Sequence, residues 1–401
     1  MQLELAPSPV SNAEIIAFRD LISGRLAHEP YPNGYVVSTR WQQIIDSAME
    51  SVAAMDGRQI ALFGMNMFDV GLPPAMVDYL RSSRAKYDAK YPELASIGET
   101  DLAPAEAVAD CVAVSFSHTL EQAFTYYHSI AEGIGAAPVP HVVEIGSGYG
   151  RFVRVLRLAG RAQRFTLIDL PQSLLFAFAF LRLYLPDTAM KIIAARADIY
   201  PGMERDFDFV LCPVQFADAL APASVDLLIN TYSLGEMPQG CVNHLMRTIH
   251  DKLKPRYFYS LNSMFTNKNL HFDVGYLGEG NEIVLNLQPE WWPVTFEIVN
   301  SLDAGTWRST VSTVLKRIDA TRDRLVTDLV AAASTLEKTS DAWLGFMYFA
   351  ALWCAEEAIV NKFLDGLRAR QHRDGFDSVP SYSFDAIGEV AFLRRHSVAA
   401  N

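Results

Sequence analysis

Cysteine is scarce and scattered. The 401 residues hold four, Cys111, Cys212, Cys241 and Cys354, and no two form a C-x-x-C pair. That spacing offers neither a zinc framework nor a disulfide one, and it fits a reducing compartment. Positive charge is also short. Lys and Arg number 34 against 46 Asp and Glu, a net charge of −12. A nucleic-acid or anionic-membrane partner needs clustered cations, so neither is expected. Long apolar runs are missing as well. The longest, Ala342 to Ala355, has 14 residues, too few to span a bilayer. It reads as a helix buried inside the fold or at the interface of a homodimer. Met1-Gln2-Leu3-Glu4 lacks the basic start and apolar run of a signal peptide, so the expected location is cytoplasmic. Internal repeats and low-complexity tracts are absent from the sequence.

What is present centres on residues 142–150, Val-Val-Glu-Ile-Gly-Ser-Gly-Tyr-Gly. Val142, Val143 and Ile145 make the apolar run of a buried parallel strand. Gly146, Gly148 and Gly150 follow at alternate positions, around Ser147, in a turn where a ligand can lie against the backbone. Arg151 to Leu158 then carries an apolar helical stripe. Strand, glycine turn and helix N-terminus together make a nucleotide-binding corner. The dinucleotide fingerprint G-x-G-x-x-G would need glycine at 151, where the residue is Arg151. The observed order, Glu144-x-Gly-x-Gly-x-Gly, resembles the first motif of class I S-adenosylmethionine methyltransferases. A carboxylate there suits the ammonium and sulfonium of S-adenosyl-L-methionine and would repel a pyrophosphate.

A second strand-like run, Phe165 to Ile168, ends in Asp169, 19 residues after Gly150. An acid at that place accepts hydrogen bonds from both ribose hydroxyls of a bound nucleoside. Leu170-Pro171 leaves the strand. The rest of residues 139–315 alternates strand-like runs with helices, the signature of a parallel sheet covered on both faces. The third strand is Asp208 to Cys212, with Lys191 to Ala195 as the alternative. Gln215 and Phe216 follow it, placed to bond an adenine edge and to stack on it, or to form an ordinary loop. The fourth strand, Val225 to Ile229, runs into Asn230-Thr231-Tyr232-Ser233-Leu234-Gly235-Glu236-Met237-Pro238. Asn230 is a candidate contact for the methionine part, by side chain or backbone. Glu236 is a candidate general base, or else a helix cap. The fifth strand is Arg256 to Asn262. Met264 to Pro289, with His271, reads as a loop over the site, and His271 is the second candidate base. Trp291-Trp292-Pro293 precedes a hairpin over residues 294–316.

Residues 1–117 read as a helical cap region, 118–318 as the cofactor-binding domain and 319–401 as a helical C-terminal region. His118 and His128 lie on the helix before the first strand, where a histidine is more often structural than functional.

Four stretches together are similar to the sugar O-methyltransferase family: Val143 to Phe152, Thr166 to Pro171, Ile229 to Pro238 and Tyr257 to Asn262. The resemblance spans residues 143–262, and Gln172 departs from it where the family has Glu. It implies an α/β class I methyltransferase (Rossmann-like) sheet, with the helical regions as additions. It further implies a cytoplasmic enzyme that methylates a hydroxyl of a sugar or glycosylated small molecule and releases S-adenosyl-L-homocysteine. The rival readings are a phenolic or polyketide acceptor and a methyltransferase-fold protein that binds without catalysis. No compact carboxylate cluster suggests a metal.

Overall fold

A computed structural model of the chain describes residues 9–32, 37, 39–68, 76–98, 118–135, 137–234, 237, 239–266, 291–303, 306–354 and 356–373. Eight strands in these residues form one sheet. They are β1 (Val139–Ile145), β2 (Ala162–Asp169), β3 (Met190–Ile192), β4 (Phe209–Pro213), β5 (Leu227–Thr231), β6 (Tyr257–Thr266), β7 (Trp291–Asp303) and β8 (Thr306–Arg317). Their order is β3-β4-β2-β1-β5-β6-β8-β7. Strands β1 to β6 run parallel, and β8 turns antiparallel to β6 and to β7. Parallel strands buried on both faces need continuous apolar runs. Val142, Val143, Phe165, Leu167, Phe209, Leu211, Leu227 and Leu228 meet that need and are almost wholly buried.

Both regions proposed for the third strand contain one, although of the run Lys191 to Ala195 only Lys191 and Ile192 are strand. Phe209–Pro213 pairs with β2, and Met190–Ile192 adds an outer edge to it. The late hairpin is present, but its first strand begins at Trp291, not after Pro293. A proline is tolerated there because β7 is an edge strand and its register shifts between Pro293 and Thr295.

The chain leaves β1 toward β2 and later returns to β5 on the other side, so β1 lies at the topological switch point of the sheet. Ile145 pairs with both Ile168 and Asn230, which brings three strand ends together there. Ligands of open α/β sheets bind in the crevice outside such ends.

The helices are α1 (Pro9–Gly24), α2 (Thr39–Val52), α3 (Gly57–Phe68), α4 (Met76–Lys90), α5 (His118–Ile134), α6 (Arg151–Leu158), α7 (Pro171–Tyr184), α8 (Gln239–Thr248), α9 (Arg322–Ser334), α10 (Asp341–Trp353) and α11 (Glu357–Arg373). Helix α7, starting two residues after Asp169, is apolar on every side and buried from Leu174 to Leu181. A helix like that needs a second cover. The N-terminal helices supply it. Phe18 of α1 meets Phe178 edge-on with centroids 5.6 Å apart, Phe63 of α3 lies 5.9 Å from Phe176, and Arg182 pairs with Glu14 at 2.9 Å. A Cβ on Gly64 would meet Phe176 at 2.7 Å, so glycine lets α3 approach.

Residues 342–353 of the apolar stretch lie in α10, and among its described side chains Trp343, Leu344, Met347 and Phe349 are buried within the chain. Gly345 packs against Phe296 of β7, and Trp343 against Gly366 of α11. Among the described residues no helix is long and apolar enough to cross a membrane.

Candidate functional site

All three turn glycines have left-handed backbones, with φ of 75° at Gly146, 53° at Gly148 and 85° at Gly150. L-residues pay about 1–2 kcal/mol for that conformation, and glycine does not. At Gly146 space adds to conformation, because a Cβ there would overlap the Ser233 hydroxyl. Gly150 is the N-cap of α6, so the turn delivers the chain straight into a helix N-terminus.

Glu144 and Asp169 sit at the ends of neighbouring strands. Glu144 is 2% exposed, and its Oε2 has no hydrogen-bond partner. Loss of water raises its pKa well above the carboxylate range, and repulsion from Asp169 adds to the rise. The Asp169 pKa is pushed up to about 6 by the protein packed around it. That rise is moderated by hydrogen bonds from the N–H groups of Leu170 and Gly148 and from the Ser173 side chain. The two backbone bonds measure 2.7 and 3.0 Å. Asp169 therefore ties the second strand to the glycine turn and keeps lone pairs for a ligand.

Unpartnered buried polar atoms collect at this corner. Besides Glu144 Oε2 they include Ser147 Oγ, Gln172 Oε1 and Gln215 Oε1. Gln215 and Phe216 lie in the turn Val214–Ala219 after β4, 2% and 4% exposed. Pro213, just before that turn, pairs with Asp169. Native interiors rarely leave several such atoms together, so each needs an explanation.

Asn230 holds the strand ends together. Its Nδ2 donates to Ile145 O at 2.8 Å and to the Ser233 hydroxyl, and that hydroxyl donates to Ile145 O at 3.1 Å. Its Oδ1 accepts from Asn262 Nδ2 at 3.0 Å and from Leu234 N–H at 3.3 Å. Both ends of the Asn230 amide are thus engaged with protein, and its side chain is fully buried. A contact to a methionine part would have to come from its backbone. Two residues on, Tyr232 takes φ of 61° and is 39% exposed. A strained aromatic residue at a strand end in the ligand crevice is a mark of a functional position.

Some expectations fall elsewhere. Glu236 and His271 lie outside the described residues. So does the side chain of His118. His128 bonds Tyr91 Oη through Nδ1 at 2.6 Å, and burial lowers its pKa. Among the described residues no three His, Cys, Asp or Glu side chains gather as a metal site.

Sequence reasoning missed Ser233, Asn262 and Tyr31. Burial raises the Tyr31 pKa to about 12, with the thiol of Cys241 and the carboxylate of Asp169 near enough to add to the rise. The N-terminal region thus reaches the corner itself.

No family model and no curated protein matches the chain. Solved structures do. The N-methyltransferase NodS from Bradyrhizobium japonicum, in complex with S-adenosyl-L-homocysteine, is 12% identical, with a TM-score of 0.32 over 60% of this chain and 98% of that one. M. capricolum TrmK, also with S-adenosyl-homocysteine, is 7% identical, with a TM-score of 0.32 over 60% and 97%. The YcgJ protein from Bacillus subtilis is 10% identical, with a TM-score of 0.31 over 49% and 100%. The sheet itself decides the fold. It is a Rossmann-like, doubly wound parallel sheet. From β4 inward the strands follow the nucleotide-binding order of third, second, first, fourth and fifth, and an antiparallel hairpin closes the far edge.

Proposed function

We propose that the chain is an S-adenosyl-L-methionine-dependent O-methyltransferase acting on a hydroxyl of a sugar or glycosylated small molecule. One observation carries the cofactor reading. A buried Glu144 with an unpartnered oxygen stands beside Asp169 at a turn of three left-handed glycines. Two crowded carboxylates repel a phosphate and attract a cation. The residues fit the cofactor. Glu144 would take its ammonium, Asp169 its ribose hydroxyls, the turn backbone its amino-acid part, and Gln215 and Phe216 its adenine. When bound, the cofactor supplies a methyl group for in-line transfer, with S-adenosyl-L-homocysteine as the product.

The chain's own contribution is to fix the acceptor oxygen on that line, which lowers the barrier by several kcal/mol. A hydroxyl also needs a base to take its proton during attack. Glu236 is the first candidate because it follows β5 where the acceptor must enter, and His271 is the second. A phenolic or polyketide acceptor is the second reading. What favours it is the tyrosine group around Glu144: Tyr126 is 6.3 Å from Tyr259 between ring centroids, and Tyr232 lies close enough to both to raise their pKa values. A panel of sugars and phenols, scored by a methyl-sized mass gain, separates the two. Gain on sugars alone supports the first reading. Gain on phenols alone replaces it with the second.

A further inference from the structure

We infer that a cavity at the opposite end of the sheet binds a small multivalent anion, such as a phosphorylated metabolite. The cavity holds about 730 Å3, within the range of small-molecule sites. It opens where β5 and β6 begin and β8 ends. The parallel register brings Tyr257 N–H to Asp226 O at 3.0 Å, and Arg317 N–H bonds Arg256 O at 3.0 Å. Those contacts set Arg256 and Arg317 side by side on the rim. The loop between α8 and β6 adds Lys252 and Lys254.

Four cations therefore line the cavity, against two carboxylates, Asp226 and Asp319. Asp226 already accepts the His141 N–H through Oδ2 at 3.1 Å. Lys252, Lys254 and Arg256 are exposed, and none forms an ion pair with a carboxylate among the described residues. Among the lining residues the surplus is two positive charges, with the Asp251 carboxylate near Lys252 and Lys254, in a chain whose net charge is −12. Concentrated cations on an acidic protein mark a place selected for anions.

The backbone is a second observation. Helix α8 ends in a π-helical turn, Ile249–Leu253, and Lys254 follows it with φ of 44°. Glycine is the unstrained residue for that position, and π turns gather at functional sites. A lysine kept there places its ammonium on the cavity rim at a conformational cost. The concave shape and the chain's net charge of −12 favour a compact anion over a long polyanion. The site is separate from the glycine corner. The two lie at opposite ends of β5, about 16 Å apart at 3.3 Å per residue.

Calorimetric titration of the full chain with inorganic pyrophosphate, at constant ionic strength, tests this. Wild type and Glu144→Gln are expected to take it up alike, which separates this site from the proposed cofactor corner. The exposed double variant Lys252→Ala/Lys254→Ala is expected to bind at least tenfold more weakly with an unchanged melting temperature. No uptake by wild type, or equal uptake by the double variant, overturns the inference. Tighter binding of a short single-stranded RNA, lost in the same variant, overturns it in favour of a nucleic-acid backbone.

Discussion

The Ser233 hydroxyl stands where a side chain on Gly146 would have to go. The first turn of the corner and the loop after β5 are therefore one fitted unit, closed by the Ser233 bond to Ile145 O. Gly146→Ala must bear a left-handed alanine, about 1–2 kcal/mol, and an overlap of about 1–3 kcal/mol. A thermal melt should show the loss, and S-adenosyl-L-homocysteine should no longer raise the melting point. An alanine variant that melts and binds like wild type would show that the fit has slack.

Asn230 is expected to matter for stability more than for ligand contact. Asn230→Ala leaves Ile145 O, Leu234 N–H and Asn262 short of partners, at about 2–3 kcal/mol. Ser233→Ala should cost less, about 1 kcal/mol. Denaturant titration of both variants measures the order, and a reversed order would remove Asn230 from the centre of the network.

The pH dependence has a defined sign. Asp169 has its folded pKa raised to about 6, against about 3.9 in an unfolded chain. The folded state thus takes up this proton first. As pH falls from above 6 toward 4, this group makes the fold more stable, and the gain disappears again on returning to high pH. Binding runs the other way, because ribose hydroxyls donate their hydrogen bonds to the ionised carboxylate. Protonation of Asp169 alone should weaken affinity for S-adenosyl-L-methionine as pH drops through 6, by up to about tenfold per unit. A flat profile from pH 5 to 8 would remove Asp169 from the pocket.

The strands, the glycine turn and Asp169 were legible in the sequence because each is a local pattern: an apolar run, a spacing, a polar residue where the run stops. What stayed hidden depends on distant parts of the chain. Asn230, a polar residue at a strand end, looked like a ligand contact until Asn262 and Ile145 were found on its two sides. Tyr31 and Asp169 are far apart in sequence, and nothing near either one signals that the tyrosine lies within reach of the carboxylate's field. Pro293 looked like a strand boundary because an edge position cannot be recognised from one strand alone.

The N-terminal helices should melt with the sheet. Phe18 is 2% exposed and packed on α7, so Phe18→Ala should cost about 3–5 kcal/mol. Calorimetry should still show one transition, at lower temperature. A separate early transition that spares the sheet would make residues 9–68 a detachable cap.

Glu144→Gln tests the central claim most directly, by calorimetry with S-adenosyl-L-homocysteine alongside a melt. Glutamine keeps the shape but cannot ionise toward a cationic ligand, whereas burial already favours the neutral acid in the free protein. The variant should melt at the same temperature as wild type or higher, yet bind at least tenfold more weakly, about 1.4 kcal/mol. Equal binding by variant and wild type, or uptake of a nicotinamide dinucleotide in place of S-adenosyl-L-homocysteine, would contradict the account.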